Sequence, residues 1–295
     1  MSAISNVAIA GASGHLGPAI IRQLLDDGFK VTVLVRQETT RNFPSGVTVT
    51  EIDYGSPESL TKGLEGQDAV VSVVGLLGLT QQIPLIEAAI EAGVKRFIPS
   101  EYGGDAENEK ALQLPPFRAK KAITDVLKKE AASGSITYTL ITTGPFLDLT
   151  IQYGKLVDLK EKKIDLWDDG DRPFSAATIP STAKAVSGVL KHPEVTKNRN
   201  IFVRNATLTQ KRLLEYAKKA VGSEGWTIEA SSTVDVLKQA YIGLEKGETD
   251  MFGFMASAIW GEGYGANFQK VDNDLLGVKE FSEAEIQSLI NDFAK

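Results

Sequence analysis

The 295-residue sequence has no cysteine. That excludes disulfides, thiol nucleophiles, thiolate-held zinc and iron–sulfur clusters. Histidine is scarce too. His15 and His192 are the whole supply, so a histidine-rich metal site is excluded and a Ser-His-Asp triad would have to use one of them. Basic charge is in deficit: 32 Lys and Arg against 38 Asp and Glu leave a formal net charge of −6. With no long basic run, nucleic acid and anionic membranes are poor partners. The longest apolar stretch, 69–79, is interrupted by Ser72, Gly75 and Gly78 and is too short to span a bilayer. The N-terminus lacks the basic start and apolar core of a signal or transit peptide. A soluble cytoplasmic protein is the default expectation.

What is present is an alternation of strand and helix patterns. Residues 7–10, 30–36, 47–52, 69–74, 96–99 and 136–143 read as strands, several of them runs of β-branched residues. Between them, 16–27, 56–64, 84–92 and 117–131 read as helices. Ser56 and Pro57 make an N-cap followed by proline at the first helical position. Repeated βαβ units predict a parallel sheet covered on both faces, with a ligand crevice at the carboxyl ends of its strands. The second half is less regular. Strands are expected at 163–167, 174–179 and 201–203, and a helix at 180–191. Further helices are expected behind the pairs Thr207/Gln210, Ser232/Asp235 and Ser282/Glu285. The fold class expected is α/β, a Rossmann-type doubly wound parallel sheet with a smaller α+β C-terminal lobe. Residues 1–150 would form the nucleotide-binding domain. Residues 151–295 would form a substrate lobe packed on it, with some exchange of segments across an approximate boundary.

The sequence Gly11-Ala-Ser13-Gly14-His15-Leu16-Gly17 follows a strand and opens a helix. In such a loop the first glycine permits the tight turn. The second lets the backbone approach a pyrophosphate, and the third lets helix and strand pack closely. The phosphates would rest on N–H groups at the helix N-terminus. His15 lies inside this loop and reads as a loop residue, not a catalytic base. The residue ending the second strand selects the cofactor: an acid there holds the ribose of NAD, an arginine the 2′-phosphate of NADP. Here it is Arg36, with Arg41 close behind and Glu38 as the contrary signal. Asp53 would hydrogen-bond an adenine edge or cap a helix, with nothing in the sequence to separate the two.

Three segments resemble the NmrA-like branch of the atypical short-chain dehydrogenases, and within it the isoflavone reductase and phenylcoumaran benzylic ether reductase family. They are the glycine loop, the strand ending at Arg36, and Arg96-Phe-Ile-Pro-Ser-Glu-Tyr-Gly103. Gly261-Glu-Gly-Tyr-Gly-Ala-Asn267-Phe268 and Phe117-Arg-Ala-Lys120 extend the likeness over nearly the whole chain. The resemblance implies NADPH-dependent reduction of phenolic ethers or enones, with a helical lysine handling the proton. No tyrosine in the sequence has lysine four residues on, so the Tyr-x-x-x-Lys pair of typical short-chain dehydrogenases is absent. Lys120 and Lys121 compete for the lysine's role. At about 100° per residue, Lys120 borders the apolar face of Ala119, Ile123, Val126 and Leu127, whereas Lys121 points away beside Asp125. A lysine at the edge of buried surface is the better placed for proton transfer, and the resemblance also favours Lys120. The other reading of Lys120 is a side chain that reaches over Phe117 to solvent.

The resemblance suggests a nicotinamide contact at Phe146, in the Gly144-Pro145-Phe146 loop, which also reads as an ordinary loop. Ser100, Glu101 and Tyr102 end the fifth strand near the same crevice and cannot be ranked. Met251, Met255, Trp260 and Tyr264 belong to an apolar, glycine-flanked stretch that would cover an aromatic substrate or form lobe core. The substrate set expected is Tyr102, Phe146, Met251, Met255, Trp260 and Tyr264. No metal is expected, and the chain would be a monomer or homodimer. Two function classes follow. One is an NADPH-dependent reductase of a small apolar compound, with a quinone reductase or a dehydratase-like enzyme as variants. The other is a sensor that binds NAD(P) without turnover and acts on a protein partner.

Overall fold

A computed structural model describes residues 3–36, 42–248 and 250–295. Glu38 and Arg41 lie outside the described residues. The first half builds six strands and four helices in strict order. They are β1 (Asn6–Ala10), α1 (Gly17–Asp26), β2 (Lys30–Arg36), β3 (Val47–Ile52), α2 (Pro57–Leu64), β4 (Ala69–Ser72), α3 (Gln82–Glu91), β5 (Arg96–Ile98), α4 (Pro115–Ser133) and β6 (Thr137–Thr142). The second half adds α5 (Leu147–Gln152), β7 (Lys163–Trp167), β8 (Phe174–Ala176), α6 (Ile179–Lys191), α7 (Pro193–Thr196) and β9 (Arg199–Phe202). Then come β10 (Ala206–Leu208), α8 (Gln210–Val221), β11 (Thr227–Ser231), α9 (Thr233–Glu245), α10 (Phe252–Trp260), α11 (Asn273–Leu276) and α12 (Glu283–Phe293).

The main sheet has seven parallel strands in the order β3-β2-β1-β4-β5-β6-β9. Side chains alternate between its faces. Val7 and Ile9 of β1, with Val31 and Val33 of β2, pack under α1 and α6. Ala8, Ala10 and Leu34 pack under α2, α3 and α4 on the other face. Burial on both faces is why β4 reads as a continuous apolar run rather than an alternating one. The order of connection reverses between β1 and β4, so a crevice opens there at the carboxyl ends of the strands. The far end of β5 is fastened by Arg96, which is fully buried. It donates to Thr137 Oγ1, Thr139 Oγ1, Thr196 Oγ1 and the Pro193 carbonyl at 2.6–3.1 Å, and burial holds its pKa down to about 10.

Three elements of the second half belong to this sheet layer: β9 extends it beyond β6, α6 covers it beside α1, and Leu276 of α11 packs in the same core. Much of the rest forms a separate apolar cluster around Trp167, Phe174, Leu213, Trp260 and Ile290, with two-stranded pairs β10–β8 and β11–β7, while Phe254 and Tyr264 pack with Phe117 of α4. The N-caps at Ser56, Ser232 and Ser282 form as expected, the last as a full capping box. The Thr207/Gln210 box does not. Thr207 lies in β10, and Thr209 caps α8 by accepting from Arg212 N. The Gln210 side chain instead accepts from Trp167 N and donates to the Asp165 carbonyl. The strand expected over 174–179 stops at Ala176, because Thr178 caps α6. No helix among the described residues is long and apolar enough to cross a membrane.

Candidate functional site

The three glycines of the loop differ in what their missing side chains would meet. Gly11 has φ +82°, and a Cβ there would lie 2.7 Å from Val74 N. A Cβ on Gly17 would lie 2.0 Å from the Ala12 carbonyl oxygen. Both are required by the protein's own packing. Gly14 is different: its Cβ would meet only Gly11 O at 3.5 Å and Val73 O at 3.9 Å, ordinary contact distances. Packing within the protein therefore gives no reason for glycine at 14. No side chain caps α1, which leaves its first-turn N–H groups suited to an anion. Leu16 is buried in the core, so only its backbone faces the loop. His15 is exposed and meets the Tyr153 ring edge-on at 5.6 Å.

At the end of β2, Arg36 is exposed opposite Ile52 in the register. Burial pushes the nearby Tyr54 hydroxyl above its ordinary pKa, and the Arg36 guanidinium pulls against that push. Asp53 Oδ1 accepts from Gly55 N at 2.8 Å. Its carboxylate closes the turn before α2 but does not cap that helix, whose N-cap is Ser56, and the residue remains exposed.

Lys120 and Lys121 separate as helix geometry requires. Lys121 pairs with Asp125 on the outer face, its side chain 49 % exposed. Lys120 is 18 % exposed and turns inward, its Nζ donating to the Glu101 carbonyl at 2.6 Å and lying 3.4 Å from Glu101 Oε2. Lys120 therefore does not reach over Phe117 to solvent. Gly103 stands beside it, since a Cβ there would come 3.8 Å from Nζ. Thr143 N and Gly144 N both donate to the Gly103 carbonyl, which joins the β5 and β6 loops at the carboxyl edge. Gly144 has φ +68°, and a Cβ there would lie 2.0 Å from the Ser175 carbonyl. Phe146 follows, half-buried and bridged to Ala177. Glu101, which the sequence left unranked, is 1 % exposed. Burial pushes its carboxyl above the ordinary range, with Lys120 opposing. The Tyr102 hydroxyl is buried without a hydrogen-bond partner; burial and the Glu101 charge both push it upward.

The expected substrate contacts divide. Trp260 is 3 % exposed, stacked on Trp167 at 5.9 Å and edge-on to Phe174 at 6.2 Å, so packing inside the lobe accounts for it. Tyr264 is buried in a small cluster with Phe117 and Phe254, and Lys110 Nζ lies 4.5 Å over its ring. Met251 packs at the edge of that cluster, while Met255 is 39 % exposed. The segment after α10 is tied down: Phe268 N donates to Ser175 Oγ, and Asn108 and Lys110 donate to the carbonyls of Gly263 and Glu262. Two surface grooves of about 540 and 340 Å³ lie near Asn273 and Arg204 and touch none of these residues.

Sheet order and the strand–glycine loop–helix entry define a Rossmann-type α/β fold. Residues 4–257 match the NmrA-like family, and the chain belongs to it. Oxidoreductase aprR of Aspergillus flavus is 34 % identical over 243 residues, 81 % of this chain and 80 % of that one. Phenylcoumaran benzylic ether reductase TP7 of Nicotiana tabacum is 31 % identical over 179 residues, 56 % of this chain and 58 % of that one. The leucoanthocyanidin reductase–NADPH complex of Vitis vinifera superposes with a TM-score of 0.77 at 20 % identity, covering 98 % of this chain and 99 % of that one.

Proposed function

We propose that the protein is an NADPH-dependent oxidoreductase that reduces a small apolar compound, aromatic or carrying an enone or carbonyl group, with Lys120 handling the proton. The observation that carries this reading is the pairing of two features at one sheet edge. One is a glycine loop whose middle glycine is kept clear for no internal reason. The other is a lysine held inward by the Glu101 carbonyl. The residues fit the cofactor. Gly11, Ser13, Gly14, His15, Leu16 and Gly17 would hold the pyrophosphate, Arg36 the 2′-phosphate, Asp53 the adenosine and Phe146 the nicotinamide. Bound there, NADPH supplies the hydride. The chain's own work is to orient, to exclude water and to move a proton. Lys120 Nζ is held by its 2.6 Å bond to the Glu101 carbonyl, and its remaining protons or lone pair would serve the substrate. Tyr102, Phe146, Met251, Met255 and Tyr264 would supply apolar walls for the substrate. The names of relatives such as aprR and TP7 support oxidoreductase chemistry, and the neighbour solved with NADPH supports the choice of cofactor.

The test is turnover across a panel of enones, quinones and phenolic ethers with NADPH. Lys120→Ala should keep NADPH affinity and lower the rate by about 10²–10⁴, while Lys121→Ala stays near wild type. A nucleotide sensor needs the loop but has no use for an inward lysine. It would bind NADP(H), turn over nothing in the panel, and bind a protein partner in a nucleotide-dependent way. A substrate that Lys120→Ala reduces at full rate would keep the reductase and remove this mechanism.

A further inference from the structure

Glu101 is, among the described residues, the one fully buried carboxylate. Packing gives no reason for a carboxyl group there. Its carboxyl oxygens are closed off from solvent, where an ionised carboxylate is costly unless paired, and the groups that steady it are Lys120 and the Thr124 hydroxyl of α4. The Tyr102 hydroxyl beside it is buried and unpartnered. One charge reaches this group, Lys120 Nζ, 3.4 Å from Oε2. The same amine donates to Glu101's own carbonyl at 2.6 Å. A single residue thus meets the lysine twice, with main chain and with side chain.

We propose that Glu101 is the positioning residue and proton partner of Lys120: its carbonyl aims the amine into the crevice, and its carboxyl holds a proton in reserve for Nζ. The proposal rests on the reductase reading above. When Lys120 Nζ gives a proton to the anion left by reduction, the N–H bond breaks and the new bond forms on the product. The carboxyl proton of Glu101 then passes to Nζ, leaving a carboxylate beside an ammonium. Water restores the carboxyl proton when product leaves. Burial favours the protonated carboxyl and the nearby ammonium favours the carboxylate, so the two forms are brought closer in energy than in a lone buried acid.

Apart from the Thr124 hydroxyl, which favours the carboxylate, the surroundings leave this exchange to the pair. From α4, Lys121 is turned outward to Asp125. The turn at 76–81 brings no titratable side chain, and Glu87 and Glu91 of α3 lie on its exposed side. Tyr138 of β6 stands beside Lys128 and Glu107. Asp105, farther along the loop, accepts from Glu107 N and Asn200 Nδ2. Tyr102 senses Glu101 directly.

The test uses whole protein labelled with ¹³C at glutamate Cδ, the Glu101 signal being identified by its loss in Glu101→Gln. The Glu101 carboxyl should titrate above the ordinary glutamate range. In Lys120→Met it should move further up by about 1–3 pH units, because the cation that steadies the carboxylate is gone. In turnover, Glu101→Gln preserves side-chain volume and NADPH affinity but should lose the limb of the pH–rate profile set by Glu101. Glu101→Asp, which keeps a carboxyl, should restore a limb. A signal at the ordinary position, or one indifferent to Lys120→Met, overturns the proposal, as does an unaltered profile in Glu101→Gln. If Glu101→Gln does not fold, through-bond assignment of the wild type and Lys120→Met decides alone. A Glu101 signal that answers to Lys120→Met in a protein with no turnover supports the pair and overturns the reductase reading, so the two failures are distinct.

Discussion

The nucleotide half and the lobe are built on opposite rules. In the sheet half, the candidate site residues of the glycine loop and of β2 stand at the ends of elements, while Lys120 turns inward from the second turn of α4. Gly14 has only ordinary contacts at its Cβ position, Arg36 is exposed at a strand end, and Lys120 is held by the carbonyl and the carboxylate of Glu101. In the lobe, the residues with the strongest functional colour are core. Trp260 stacks on Trp167, and Phe254 is fully buried between α9 and α4. Large aromatic rings bury the most apolar area per residue, so a stretch dense in them packs inward unless something holds it out. The difference teaches that spacing locates a site where backbone geometry makes it, and that composition alone does not.

The loop glycines give the largest effect and the sharpest break. Gly17→Val drives a side chain into the Ala12 carbonyl and should destabilise by about 3 kcal/mol or more, read by urea unfolding. Gly14→Val should unfold at the wild-type midpoint and lose nucleotide binding, read by calorimetry with NADPH. Tight binding by folded Gly14→Val would remove the distinction between the two glycines. Trp260→Ala comes next. A core role predicts a loss of about 3–5 kcal/mol; a substrate contact at the surface predicts almost none.

Most of the sheet was legible from the sequence because β-branched runs, glycine stops and N-caps are local signals. The glycine loop and the inward turn of Lys120 were legible for the same reason, since spacing and 3.6-residue periodicity suffice. Glu101 was not. Its meaning comes from a carboxyl and an amine that approach across 19 residues, and nothing in Ser-Glu-Tyr distinguishes a buried glutamate from an exposed one. The strand β11 was missed because its Thr227–Ser231 sequence is mostly exposed and carries no burial pattern. The Thr207/Gln210 box misled because Gln210 has a better use, satisfying the backbone of β7.

A smaller effect is expected at Arg36. A charge-assisted pair to a 2′-phosphate is worth about 1.5–3 kcal/mol, or roughly 10- to 100-fold in affinity. Arg36→Ala should lower NADPH affinity by that factor and leave NADH nearly unchanged, erasing the preference. Equal binding of the two nucleotides by the wild type would defeat the assignment of Arg36.

The smallest effect is expected at Met255, and it sharpens the comparison at its weakest point. Met255 lies on α10 one residue after fully buried Phe254, yet it is 39 % exposed. Helix periodicity puts the two on different faces, so α10 has a packed side and an open side. If the open side borders the substrate, Met255→Ala should leave stability within about 0.5 kcal/mol of wild type and raise KM for the best compound in the panel, with kcat and NADPH affinity unmoved. A loss of several kcal/mol would mean that Met255 is as much core as Trp260. An unchanged KM would place the substrate away from the open side of α10.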